Sequence, residues 1–238
     1  MDGLKRRIAR YWGLRMEKFS ALRQKEFEDK KRSLWLAELK RALPQGKSLD
    51  VLDAGTGTGF FAFLLAAEGH RVTGIDLTPE MIDEAKRLAE CLGLKIKFCV
   101  MDAEKPDLPP ASFDAVVTRN LTWALPHLGD AYKNWRALLR PGGVLINFDA
   151  DYCREEKPAN LPENHAHRGI EPELMEEYER LKDELRPLQM PRPEWDVKLL
   201  EAAGFGGVGV DLSVWRRIYE KTDEFYNPTP IFMITARA

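Results

Sequence analysis

Residues 51–59, VLDAGTGTG, constrain this chain more than any other stretch. A short apolar run ends in an acid, Asp53, and glycines alternate at Gly55, Gly57 and Gly59. An amphipathic, helix-compatible segment, FFAFLLAAEGH, follows directly. That order reads as a strand, a bare-backbone loop and a helix that turns its N-terminus to a ligand. Glycines let a ligand lie against the main chain, and the first N–H groups of a helix have no internal partner. A dinucleotide-binding loop needs its third glycine three places after the second, where Phe60 stands. A phosphate-binding loop would close with Gly-Lys-Ser/Thr, and this one does not. What remains is an acid-x-Gly-x-Gly-x-Gly loop, with a plain tight turn as the competing reading.

The rest of the chain can be read by its distance from this loop. Residues 70–76 form a short strand ending in Asp76, about twenty residues downstream, where a nucleoside-binding α/β fold places a carboxylate for the ribose hydroxyls. Thr78 and Pro79 then suit the N-cap and first turn of a helix. Residues 95–100 read as a third strand, followed by Asp102 and Ala103, and residues 113–118 as a fourth with a continuous apolar centre. The fourth strand exits through Arg119, Asn120, Leu121 and Trp123, and ligands of open α/β sheets bind beyond such strand ends. A helix over 131–140, a strand over 144–148, a helix over 195–203 and strands over 208–213 and 230–236 complete the alternation.

VLDAGTGTG resembles the first motif of the class I S-adenosylmethionine (SAM)-dependent methyltransferases, and the similarity runs over about residues 49–147. The resemblance implies an α/β fold: a Rossmann-like, doubly wound, seven-stranded sheet of order 3-2-1-4-5-7-6 with strand 7 antiparallel, carrying N-terminal helices and a lid insertion. It implies SAM as cofactor, with S-adenosylhomocysteine as product. It places Asp53, Gly55, Gly57, Gly59, Asp76, Asn120 and Leu121 around that cofactor, with Leu77 and Met81 beside the adenine and Asp102 and Ala103 near its amino group. Similar enzymes often fold an N-terminal YW-x-x-R segment over the pocket, and Tyr11, Trp12 and Arg15 match it. Docking of Tyr11 and Trp12 on the core is the competing reading.

Four parts follow: an N-terminal helical cap over residues 1–47, a SAM-binding core over 48–150, a substrate lid over 151–193, and a C-terminal part of the core over 194–238. The cap carries 14 Lys/Arg against 6 Asp/Glu. A basic arm can meet nucleic acid, but this one lacks the glycines and aromatics of an RNA-binding motif, which favours a solvated helix face. The lid holds 11 acidic against 7 basic residues, an excess that would favour a cationic acceptor or simply mark a solvated face. No apolar run approaches the roughly 20 residues of a membrane span, and the N-terminus has no signal-peptide core, so a cytoplasmic location is expected. Three cysteines without a CxxC pair argue against a disulfide framework or zinc knuckle.

Methyl transfer is an in-line displacement that rests on positioning and exclusion of water, so no obligatory catalytic side chain follows. Where the acceptor is a phenol or protonated amine a base is needed, and Asp151, Tyr152, His165 and His167 are candidates for it or for substrate contacts. Trp12, Trp123 and Asp149 are candidate substrate contacts. The two histidines have no third ligand at a compelling spacing, so no metal is expected. The expected partner is a small-molecule methyl acceptor, with no membrane, nucleic acid disfavoured, and a monomer or homodimer. An RNA methyltransferase, a SAM-binding protein without transfer, and an NAD oxidoreductase stay open as alternatives.

Overall fold

The structure is a computed structural model that describes residues 3–45, 48–154 and 169–238. Seven strands form one sheet in the order β3-β2-β1-β4-β5-β7-β6, the order expected from the sequence. They are β1 (Asp50–Ala54), β2 (Arg71–Asp76), β3 (Lys97–Val100), β4 (Phe113–Arg119), β5 (Leu139–Asp149), β6 (Gly206–Asp211) and β7 (Phe232–Arg237). β1 pairs in parallel with β2 and β4, β2 with β3, and β4 with β5. β7 runs antiparallel to both β5 and β6.

The central strands are buried on both faces, which explains their continuous apolar runs. Successive side chains point to opposite faces of a strand. Val51 and Val117 therefore enter one apolar cluster, and their neighbours Leu52 and Val116 enter another. The first cluster is closed by α2 (Lys31–Ala42), α3 (Phe60–Ala67), α4 (Pro79–Cys91) and α8 (Val214–Ile218), and the second by α5 (Leu128–Leu138) and α7 (Glu194–Ala202). Trp35 of α2 is fully buried with its ring edge-on to Phe61 and Phe148. The second half of the expected N-terminal cap is thus core, and α1 (Gly3–Glu28) is the part that reaches the cavity described below.

Several boundaries differ from the sequence expectation for local reasons. The N-terminal helical run breaks at Asp29 and Lys30, where the Asp29 carboxylate accepts from the Lys31 N–H and starts α2. The fifth strand starts at Leu139, not at residue 144, because the Pro-Gly-Gly segment continues into the sheet, with Gly142 donating to the Ala238 carbonyl. Thr78 precedes α4 but makes no side-chain cap, and its N–H donates instead to Asp76 Oδ1 at 2.9 Å. The lid region includes α6 (Pro172–Leu185), in which Glu177 and Glu184 pair with Arg7, Glu179 with Lys182, and Asp183 with Arg186. No helix among the described residues is long and apolar enough to cross a membrane.

Candidate functional site

The site begins where β1 ends. Gly55, Gly57 and Gly59 all have positive φ, at 69°, 53° and 94°, a region that L side chains rarely adopt. A Cβ on Gly55 would lie 2.7 Å from Leu121, so close approach of the β4 exit also requires glycine there. Gly59 stands at the N-cap of α3, where a Cβ would meet the Phe63 ring at 2.5 Å. Asp53 braces the loop from below: its Oδ2 accepts from Thr56 Oγ1 at 2.7 Å and from the Ala62 N–H at 3.1 Å. Burial pushes the Asp53 carboxyl up to about 7, against the opposing pull of those two hydrogen bonds.

Above the loop lies a cavity of about 250 Å³. Asp76 lines it with both oxygens tied to backbone, Oδ2 accepting from Gly57 N–H and Oδ1 from Thr78 N–H, each at 2.9 Å. The Thr78 side chain and the Leu77 N–H also bear on this carboxylate. Burial raises the Asp76 carboxyl above the usual range, and the hydrogen bonds from Thr78 and Gly57 oppose that shift. Asp102, at the exit of β3, accepts from the Glu104 N–H at Oδ1 and from Lys5 Nζ at Oδ2, the latter at 2.7 Å. Lys5 also pairs with Glu104, so α1 is latched to the β3 exit by one cation between two acids.

The β4 exit forms the opposite wall of the loop. Asn120 sits at φ 54°, a left-handed position in a non-glycine residue, held by its N–H to the Phe148 carbonyl and its own carbonyl to Trp123 Nε1. Its side-chain oxygen accepts from the Tyr152 hydroxyl at 3.0 Å, and that hydroxyl accepts from Asn227 Nδ2 at 2.7 Å. Aromatic rings surround this group: Trp123 meets Tyr152 and Tyr178 edge-on, and Tyr178 stacks on Tyr11. Arg15, on α1, donates to the Tyr11 hydroxyl at 3.1 Å.

Most of the residues singled out from sequence meet in this cavity. Tyr11, Trp12, Arg15, Asp53, Gly55, Gly57, Asp76, Leu77, Met81, Asp102, Ala103, Asn120, Leu121, Trp123 and Tyr152 all line it. Gly59 does not, and acts through backbone conformation. Asp149 does not line it either: it is fully buried, accepting from Thr122 Oγ1, the Trp123 N–H and the Ala150 N–H, with Arg192 NH1 3.4 Å away. The expected substrate contact is therefore a brace under the Asn120–Trp123 turn. Asp151, expected as a base or substrate contact, is spent on the Arg154 side chain and the Arg192 N–H, away from the cavity lining. His165 and His167 lie outside the described residues.

Sequence reasoning missed two groups. One is the cavity wall over residues 219–228, which includes Tyr219, Phe225, Tyr226 and Asn227. Its aromatic density was the available signal. The other is a charge cluster around the fully buried Glu26, where Arg119 ends β4 and Arg23 and Glu26 are one turn apart on α1.

Comparison with known proteins bears on the core of this site. A methyltransferase domain family matches residues 51–143. The demethylmenaquinone methyltransferase of Thermus thermophilus is 38% identical over 102 residues, covering 40% of this chain and 44% of that protein. A ubiquinone biosynthesis O-methyltransferase of Methylocella silvestris is 37% identical over 100 residues, covering 42% of this chain and 39% of that protein. The chain thus spans about two-fifths of the length of these relatives. A crystal structure of a SAM-dependent methyltransferase from Aquifex aeolicus superposes with TM-score 0.59 at 21% identity, covering 90% of this chain and 95% of that one. The strand order and the alternating glycine loop thus accompany a match to a methyltransferase domain family over residues 51–143, and the fold is that of solved SAM-dependent methyltransferases.

Proposed function

We propose that this chain is an enzyme that transfers a methyl group from SAM to an oxygen, nitrogen or sulfur atom of a small molecule. One observation carries the reading: a single cavity is lined at once by a left-handed glycine loop, by the Asp76 carboxylate at the end of β2, and by a ring of aromatic side chains. Asp76 would accept from the sugar hydroxyls, Leu77, Met81 and Ala103 would flank the base, and the loop at Gly55 and Gly57 would take the amino-acid end. Arg15 is a buried cation whose Nε has no partner among the described residues, which suits the carboxylate of that end. Bound there, the sulfonium supplies an electrophilic methyl group that a nucleophile displaces in line, the electron pair returning to sulfur.

The chain's own part is placement. Asn120, fixed by three hydrogen bonds in a left-handed conformation, would hold the acceptor with Tyr152 and Asn227, and the rings of Tyr11, Trp123 and Tyr178 would keep water out. Alignment of this kind is worth roughly 7–11 kcal/mol of barrier. In this reading α1, α6, Tyr152 and residues 219–228 form the substrate side. A small acceptor is favoured over nucleic acid because α1 spends Lys5, Arg7 and Lys18 on internal acids.

Calorimetric titration with S-adenosylhomocysteine tests the donor half. Wild type should bind, and Asp76→Ala should bind at least 100-fold more weakly, since two hydrogen bonds to a charged group are worth roughly 1.5–3 kcal/mol each. Unchanged affinity in Asp76→Ala, or no binding by wild type, would overturn the reading. Incubation with methyl-labelled SAM and a small-metabolite extract then identifies the product that gains the label.

A further inference from the structure

Glu26 is fully buried, and each of its acceptor directions is already taken. Oε1 accepts from Arg119 NH2 at 2.8 Å and Trp35 Nε1 at 2.8 Å, while Oε2 accepts from Arg119 NH1 at 3.2 Å and pairs with Arg23 NH1 at 2.5 Å. Four contacts exhaust a carboxylate. Two guanidinium groups therefore share a single negative charge, and the Nε–H of each, buried, has no acceptor among the described residues. Both arginines line the cavity, and the Arg119 guanidinium carbon lies 4.1 Å from the centre of the Trp35 ring and 5.0 Å from that of Phe60. The two side chains keep 14% and 10% exposure while their Nε atoms are buried, and buried donors without acceptors are rare in folded proteins.

The other carboxylates of the cavity do not answer this surplus. Asp53 is bound to Thr56 and Ala62, Asp76 to Gly57 and Thr78, Asp102 to Lys5 and Glu224 to Lys25. Arg15 belongs to a separate place. It precedes Arg23 by eight residues, about 12 Å along the helix axis, and Phe19 stands between them with the Arg23 guanidinium 5.3 Å from its ring. Around the Arg23–Arg119 corner the cavity is lined by Tyr152, Tyr219 and Tyr226, with Trp123 and Tyr178 beyond.

We propose that the methyl acceptor is a small organic acid: its carboxylate seats against Arg23 and Arg119, and a flat unsaturated body lies among Trp123, Tyr152 and Tyr178. The inference rests on the methyltransferase reading, to which it adds the acceptor's chemical class. It also reverses the expectation drawn from the acidic lid, because Glu177, Glu179 and Glu184 of α6 are paired with Arg7 and Lys182 and do not line the cavity.

The test uses benzoate and benzamide, which share shape and differ in charge, titrated calorimetrically into the full chain with and without S-adenosylhomocysteine. Wild type should bind benzoate at least tenfold more tightly than benzamide. Arg23→Gln should bring the two within twofold without changing affinity for S-adenosylhomocysteine, and Arg23→Lys should keep most of the preference. Equal affinities in wild type, or binding of neither probe, would overturn the proposal whether or not any variant folds. So would an Arg23→Gln protein that loses tenfold in affinity for S-adenosylhomocysteine yet binds methylthioadenosine normally, because the corner would then hold the donor's own carboxylate. Absence of S-adenosylhomocysteine binding alongside a benzoate preference would instead remove the methyltransferase reading and leave the acid site standing.

Discussion

Arg192 ties the lid's end to the floor of the site, and Arg192→Met should be the most costly single change outside the apolar core. Its side chain is fully buried. Nε and NH2 reach both oxygens of Asp196, at 2.8 and 2.6 Å, NH2 also donates to Thr122 Oγ1 at 2.6 Å, and NH1 lies 3.4 Å from Asp149. Methionine fills similar volume but leaves two fully buried carboxylates, Asp149 and Asp196, without a cation. Removing one partner of a buried ion pair costs about 3–5 kcal/mol, a large part of a total stability of roughly 5–15 kcal/mol. For a chain of this size that is a fall of about 6–20 °C in melting temperature. The deficit should also depend on pH in a definite sense. Burial already raises the Asp149 carboxyl, and Arg192 is the leading opposing influence, so the variant raises it further. An acid with a raised folded pKa contributes stability that is present at low pH and lost as pH rises through that pKa. The variant should therefore lose more at pH 8 than at pH 5, and Asp149→Asn with Asp196→Asn added should recover part of the loss. Calorimetric melts at the two pH values decide it. A fall under 2 °C at pH 8, or a deficit that grows on acidification, would refute the electrostatic account of this network.

Two further outcomes follow from the glycine loop. Gly55→Ala should lose about 1–2 kcal/mol from the left-handed backbone alone and weaken S-adenosylhomocysteine at least tenfold, because its Cβ would stand 2.7 Å from the Leu121 side chain, and both residues line the cavity; urea unfolding and calorimetric titration measure the two effects. Asp53, raised by burial to about 7, contributes stability that is lost as pH rises from about 4 to 7, by at most about 1.4 kcal/mol per pH unit, so the difference in stability between wild type and Asp53→Asn should fall across that range in urea titrations.

The cofactor side of the cavity was legible in the sequence because its determinants are local. Alternating glycines force a backbone, Asp76 stands at a strand end a fixed distance on, and apolar runs announce strands buried on both faces. Each signal needs only its own neighbours. The substrate side depends on pairs far apart in the chain: Glu26 meets Arg119, Arg192 meets Thr122, and Asn227 meets Tyr152. Nothing in the periodicity of α1 separates Glu26, fully buried, from Glu17 and Glu28, which are not. A carboxylate is stable in such a place only when donors arrive from other elements, and those elements are fixed by the fold, not by the helix that carries the acid. Charge totals, for the same reason, say little about a pocket. In α6, Glu177, Glu179, Asp183 and Glu184 are paired with Arg7, Lys182 and Arg186, whereas a cluster of two arginines and one glutamate, nearly neutral in any count, leaves two buried donors without acceptors. What a pocket will accept is set by the hydrogen-bonding capacity its own residues leave over.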